Sequence, residues 1–112
     1  MPLVSLGECN AAYSGTITAN MVCAGYPRGG KGACFGDSGG PLVIQNPNQD
    51  YRWELTGLAS FVSPPIDGLK CAQPGFPTVY TDVYEYRDWI EHQRLAAAPK
   101  LNAIIKLFIL PD

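Results

Sequence analysis

Short apolar runs, separated by polar or glycine- and proline-rich stretches, divide the first eighty residues. Residues 20–24 (Asn-Met-Val-Cys-Ala) read as a short strand after Thr16-Ile17-Thr18. Residues 41–45 (Pro-Leu-Val-Ile-Gln) read as a buried strand. Residues 51–61 read as a longer one, anchored by Trp53, Leu55 and Leu58. The polar run 46–50 between them predicts a turn, so the pair forms a hairpin. Residues 78–81 (Thr-Val-Tyr-Thr) predict a further strand. Residues 27–40 and 63–75 read as loops.

One helix is legible. Asp82 suits its N-cap and Glu85 stands three residues later in capping-box position. Val83, Tyr86, Trp89 and Ile90 then recur at helical spacing. Pro99 predicts its end. Residues 1–98 are thus one unit, and 99–112 an apolar tail, either an extension of the helix or a disordered end. Its apolar cluster, residues 104–110, is interrupted by Lys106 and is far shorter than the roughly 20 residues of a membrane span.

Composition narrows the class. The chain has 112 residues, with 46% apolar and 16% charged, too apolar and too weakly charged for intrinsic disorder. A net charge of −2 excludes an electrostatic nucleic-acid binder. Gly and Pro, 12 and 10 residues, fit many turns between short strands. Four cysteines, Cys9, Cys23, Cys34 and Cys71, lack CxxC spacing, and the single histidine, His92, lies far along the chain from them. That argues for disulfides in a secreted protein, with no metal or other cofactor. Residues 1–6 do not resemble a signal peptide, so the targeting segment is expected upstream.

The stretch Cys34-Phe35-Gly36-Asp37-Ser38-Gly39-Gly40-Pro41 carries the chemistry. A serine hydroxyl attacks a carbonyl only when a base takes its proton and donors stabilise the oxyanion that follows. Glycines on both sides of Ser38 allow a turn tight enough to aim the N–H groups of Gly36 and Ser38 into one small space. A glycine turn without chemistry accounts for the same spacing.

Gly-Asp-Ser-Gly-Gly-Pro resembles the nucleophile signature of chymotrypsin-like (trypsin-fold) serine endopeptidases. Residues 20–25 resemble the segment before it in that family, residues 53–61 the strand after it, and 77–83 and 86–90 the last strand and closing helix. The resemblance runs from about Cys9 to His92. It implies an all-β fold, part of the C-terminal six-stranded antiparallel barrel with a C-terminal α-helix. It makes Ser38 the nucleophile, the N–H groups of Gly36 and Ser38 the oxyanion hole, and Asp37 the carboxylate that pairs with an activation-generated N-terminal amine. It also implies the disulfides Cys9–Cys23 and Cys34–Cys71, each contributing about 3–4 kcal/mol in the chain-entropy model.

The same alignment places Gly32 and Ala33 at the floor of the substrate pocket, beside Phe35, Ser60 and Phe61, with Val62 and Thr78 on its walls. Trypsin-like members keep an Asp just before Ser-Cys at the floor. Its absence leaves a buried Lys or Arg without a counter-charge. Residues 60–63 and 77–79 are similar to the pancreatic elastases, which implies a pocket for small apolar residues of a peptide or protein substrate. In the family the triad runs His, Asp, Ser along the chain. No histidine precedes Ser38, and His92 falls on the closing helix as a solvent-facing residue. The chain is therefore expected to be a piece of a longer peptidase, inactive alone, with open strand edges and a half-exposed core that the missing N-terminal half covers.

Overall fold

The apolar runs fold as strands. The computed structural model describes residues 1–62 and 71–109. Along the chain lie β1 (Leu3–Val4), α1 (Leu6–Ala12), β2 (Met21–Ala24), β3 (Pro41–Asn46), β4 (Arg52–Phe61), β5 (Thr78–Asp82) and α2 (Arg87–Ile109). The strands form one five-stranded antiparallel sheet in the order β1-β2-β5-β4-β3. The expected hairpin is β3 paired with β4. Its polar connection winds into a 3₁₀ turn at Pro47–Gln49, capped by Asn46, whose side-chain oxygen accepts the Asn48 N–H at 2.9 Å.

β1 and α1 fall where the sequence shows no period. Ser5 caps α1, its hydroxyl accepting the Glu8 N–H at 3.2 Å. The helix is seven residues long and buries only Cys9. An amphipathic stripe has no room to appear in so short an element.

Two small apolar clusters hold the sheet. Cys9, Cys23 and Val79 form one, flanked by Val4, Tyr13, Ile17 and Met21. Ala24, Leu42 and Tyr80 form the other, flanked by Val22 and Ala59. Cys23 pairs with Val79 and Val22 with Tyr80, so alternate residues of β2 and β5 feed opposite faces. Cys9–Cys23 ties α1 to β2 with Cα atoms 6.4 Å apart. Cys34–Cys71 ties the serine loop to the segment before β5, with Cα atoms 5.4 Å apart.

Three expectations need correction. Trp53, Leu55 and Leu58 do not anchor β4: they are 64%, 49% and 37% exposed. Leu42 turns into the core opposite Gly57. After a register shift, Val43 stands opposite Leu55 with both about half exposed, so no described residue covers that pair. Asp82 acts as a cap, accepting the Tyr84 N–H at 3.1 Å, but the turn it caps is a 3₁₀ segment, Val83–Tyr86, and α2 begins only at Arg87. The helix does not stop before Pro99 but runs through it to Ile109. A proline there removes one i→i−4 bond, to the carbonyl of Leu95, a residue that is 57% exposed. Ala96, Ala97 and Ala98, the strongest helix formers, precede it. Residues 63–70 of the second loop and 110–112 of the tail lie outside the described residues. No described helix is long and apolar enough to cross a membrane.

Gly57 marks the closest approach of β4 to its neighbours. A Cβ there would lie 2.8 Å from the Tyr80 Cβ and 3.3 Å from both the Thr81 carbonyl and a Val22 methyl. Gly57→Ala is expected to destabilise the fold by about 1–3 kcal/mol through overpacking. Urea unfolding checks this: the midpoint should fall with the slope unchanged, and an unchanged midpoint would contradict the packing described.

Candidate active site

Ser38 sits in two consecutive turns. The Asp37 N–H donates to the Cys34 carbonyl at 3.0 Å and the Gly40 N–H to the Asp37 carbonyl at 2.8 Å. Each turn has a glycine at its third position with positive φ, Gly36 at 94° and Gly39 at 82°. Side chains rarely adopt that conformation, so the two positions require glycine. The second turn is fixed to the sheet on both sides. The Gly39 N–H donates to the Ala59 carbonyl at 2.9 Å, and the Ala59 N–H to the Gly40 carbonyl at 2.8 Å. Asp37 closes the first turn from its side chain, one carboxylate oxygen accepting the Cys34 N–H at 2.8 Å.

Two N–H groups are left over. Those of Gly36 and Ser38 have no acceptor among the described residues, although their neighbours on the turn are bonded. Ser38 is exposed, and its hydroxyl also lacks a partner among the described residues. The turn thus presents a free hydroxyl and free backbone donors, the components that acyl transfer needs at the attacking oxygen and the developing oxyanion. Among the described residues no base is hydrogen-bonded to the Ser38 hydroxyl. His92 is exposed on α2 and lines neither hollow beside Ser38. Among the described residues no three of His, Cys, Asp and Glu are grouped to hold a metal ion.

Ser38 stands between two hollows. The first, of about 160 Å³, brings together the expected Ala33, Phe35, Ser60, Phe61, Val62 and Thr78, with Cys34 and Ala59 completing the lining. No charged side chain lines it among the described residues. Thr78 is nearly buried, and its hydroxyl accepts the Ala33 N–H at 3.2 Å, bracing the loop against β5. Gly32 lies behind that brace, where a Cβ would come within 2.7 Å of the Thr78 Oγ1. It also lines the second hollow, an open cleft of about 610 Å³ shared with Lys31, Gly36, Asp37 and Tyr80.

Supporting residues outside the expected set matter as well. The Tyr13 hydroxyl donates to the Pro77 carbonyl at 2.6 Å. Its ring meets Phe61 and Phe76 edge-on, with centroids 5.6 and 5.9 Å away. Tyr13 therefore stiffens the end of β4 that carries Phe61 and leads into Val62. No sequence signal marks it, since it follows α1 in an unpatterned segment. Tyr80, beneath the cleft, shows in the sequence only as one position of a strand.

Comparison with known proteins agrees with this geometry. Residues 1–90 match the Trypsin family. The chain is 40% identical to the clotting factor G beta subunit of Tachypleus tridentatus over 121 residues, covering 97% of the chain and 36% of that protein. It is 46% identical to trypsin II-P29 of Gallus gallus over 90 residues, covering 80% and 31%. With kallikrein-14 of Homo sapiens it shares 51% identity over 84 residues, covering 74% and 27%. The chain belongs to the trypsin family of serine proteases, and its sheet and helix are part of a trypsin-fold β-barrel. It spans about a third of the length of the curated relatives it matches.

Tyr80 gives the site a pH signature. Burial raises its phenol above the usual 10.0; a hydrogen bond with Thr78 opposes the shift and the charge of Asp37 adds to it. A raised folded value means the contribution is fully present below the unfolded pKa and lost as pH climbs through the folded one. Urea midpoints should therefore decline above about pH 10, and Tyr80→Phe should flatten the decline. An identical decline in both proteins would contradict the assignment.

Proposed function

We propose that this chain carries the acylating serine, the oxyanion-binding turn and the specificity pocket of a secreted serine endopeptidase that prefers small apolar side chains. The general base and its orienting carboxylate come, on this reading, from the N-terminal half of a longer peptidase. The uncharged hollow beside Ser38, flanked by Val62 and Thr78, is the observation that carries the preference. A cationic side chain entering it would lose its hydration without gaining a counter-ion. The two disulfides suit an oxidising, extracellular setting.

In this scheme an imidazole from the other half removes the Ser38 proton as Oγ attacks the peptide carbonyl. The free N–H groups of Gly36 and Ser38 receive the oxyanion. The amine leaves with the proton, and water repeats the attack on the acyl-serine. Asp37 already holds the turn through Cys34 and faces the open cleft, where an activation-generated ammonium would meet its carboxylate. The outer strands β1 and β3, and the half-exposed Val43 and Leu55, suit a sheet that continues into further strands of the same barrel. A second reading, a non-catalytic module that binds partners through the old cleft, is favoured by the Ser38 hydroxyl having no hydrogen-bonded base among the described residues.

Fluorophosphonate labelling separates the two. Ser38 in the complete peptidase should label at least ~10³-fold faster than in this chain alone, and Ser38→Ala should abolish labelling. No labelling in the complete protein selects the binding module. With peptide substrates, Ala or Val before the scissile bond should outperform Arg and Phe, and Val62→Gly should raise cleavage after Phe relative to Ala. Preferred cleavage after Arg would overturn the pocket assignment.

A further inference from the structure

The match to the Trypsin family ends at residue 90, but α2 continues to Ile109. Of its residues 87–99, all are exposed except the half-buried Ala98, so this part of the helix packs on little of the sheet. Most helical stability in proteins comes from covering an apolar face rather than from propensity. The part of α2 past the family match therefore raises the question of what covers its apolar positions.

Past Pro99 the sequence changes character. Leu101, Ile104, Ile105 and Phe108 recur at i, i+3, i+4 and i+7, the spacing that gathers apolar positions along one stripe of a helix. Asn102 and Lys106, themselves four residues apart, share another side. Charge follows the same division. Between Glu91 and Asp112 every Asp, Glu, Lys or Arg is basic: Arg94, Lys100 and Lys106. Arg94 is engaged within its own turn, its Nε donating to a Glu91 carboxylate oxygen at 3.1 Å. Lys100 and Lys106 have no acidic residue three or four positions away to neutralise them.

We propose that residues 100–109 of α2 dock in the surface of an anionic lipid bilayer, the apolar stripe meeting the acyl chains and Lys100 and Lys106 the headgroups. Two other fates suit the segment less well. A second copy of the helix would bring lysine near lysine, with no acidic residue between Glu91 and Asp112 to pair them. Spanning the bilayer is out of reach, because the rise from Leu101 to Ile109 is about 13 Å against a hydrocarbon core of about 30 Å. An anionic surface answers both features at once. Helices with an apolar stripe and basic flanks partition into the headgroup boundary, and each lysine near such a surface adds to the affinity. This inference does not rest on the assignment of Ser38 or of its pocket.

The test is vesicle flotation of the full 112-residue chain at neutral pH, with vesicles of phosphatidylcholine alone and of equal parts phosphatidylcholine and phosphatidylserine. Partitioning should be at least about tenfold stronger onto the phosphatidylserine vesicles and should weaken with added salt. Lys100→Gln combined with Lys106→Gln should lower it at least about tenfold. Phe108→Asp should abolish it on both kinds of vesicle. Trp53→Ser, on the exposed face of β4, should leave it unchanged, which separates the helix from the apolar sheet as the binding element. Equal partitioning onto the two kinds of vesicle, or none onto either, would overturn the proposal. So would unaltered partitioning in either helix variant, or its loss in Trp53→Ser. A lipid-free dimer that Phe108→Asp disperses would overturn it too, because a second copy would then cover the stripe.

Discussion

The hydrogen bonds that join Gly39 to Ala59 and Ala59 to Gly40 fix the position of Ser38. They splice a glycine turn onto β4, so the serine is held by sheet backbone rather than by side-chain packing. Because two glycines with positive φ absorb the tight reversal, the N–H groups of Gly36 and Ser38 are left unbonded while Asp37, Gly39 and Gly40 are satisfied. Unpaired donors are costly when buried, but these stand on exposed residues where water or a reacting oxygen serves them. Asp37 and the Cys34–Cys71 bridge hold the near end of the turn, and β4 holds the far end.

The rest of the described fold supports this arrangement with little apolar mass. Among the described residues six buried apolar ones make up the core, two of them joined in the Cys9–Cys23 disulfide. Cys9–Cys23 closes a 14-residue separation and Cys34–Cys71 one of 37. In the chain-entropy model such bridges supply about 3–4 kcal/mol each, comparable to what a small core provides. The Tyr13–Phe61–Phe76 edge contacts and the Thr78 brace then shape the hollow beside Ser38 from two directions. Pocket and nucleophile share one frame, since β4 contributes both Ala59 under the turn and Phe61 at the pocket wall.

Much of this is readable in the residues, and the parts that are not share a physical cause. The strands at 21–24, 41–46, 52–61 and 78–82 show because apolar runs bounded by turn formers are a local signal. Gly36 and Gly39 show because a turn with positive φ demands glycine. β1, with two residues, and α1, with one buried residue, offer no period to detect. Trp53, Leu55 and Leu58 look like anchors because the pattern records what is apolar and not what lies over it; in this chain nothing described does. Pro99 reads as a stop, yet on an exposed helix the single lost bond does not end it. The alignment puts Gly32 at the pocket floor, while its approach to Thr78, 46 residues further along, is a long-range contact that only the fold shows.

Backbone amide hydrogen exchange at residues 36–40 and 59 tests the spliced turn most directly. The Gly39, Gly40 and Ala59 amides, each bonded, should be protected, while the Gly36 and Ser38 amides between them exchange near the unprotected rate. Uniform protection across residues 36–40, or fast exchange at Gly39 and Ala59, would contradict the claim that the sheet holds the serine turn with two donors left free.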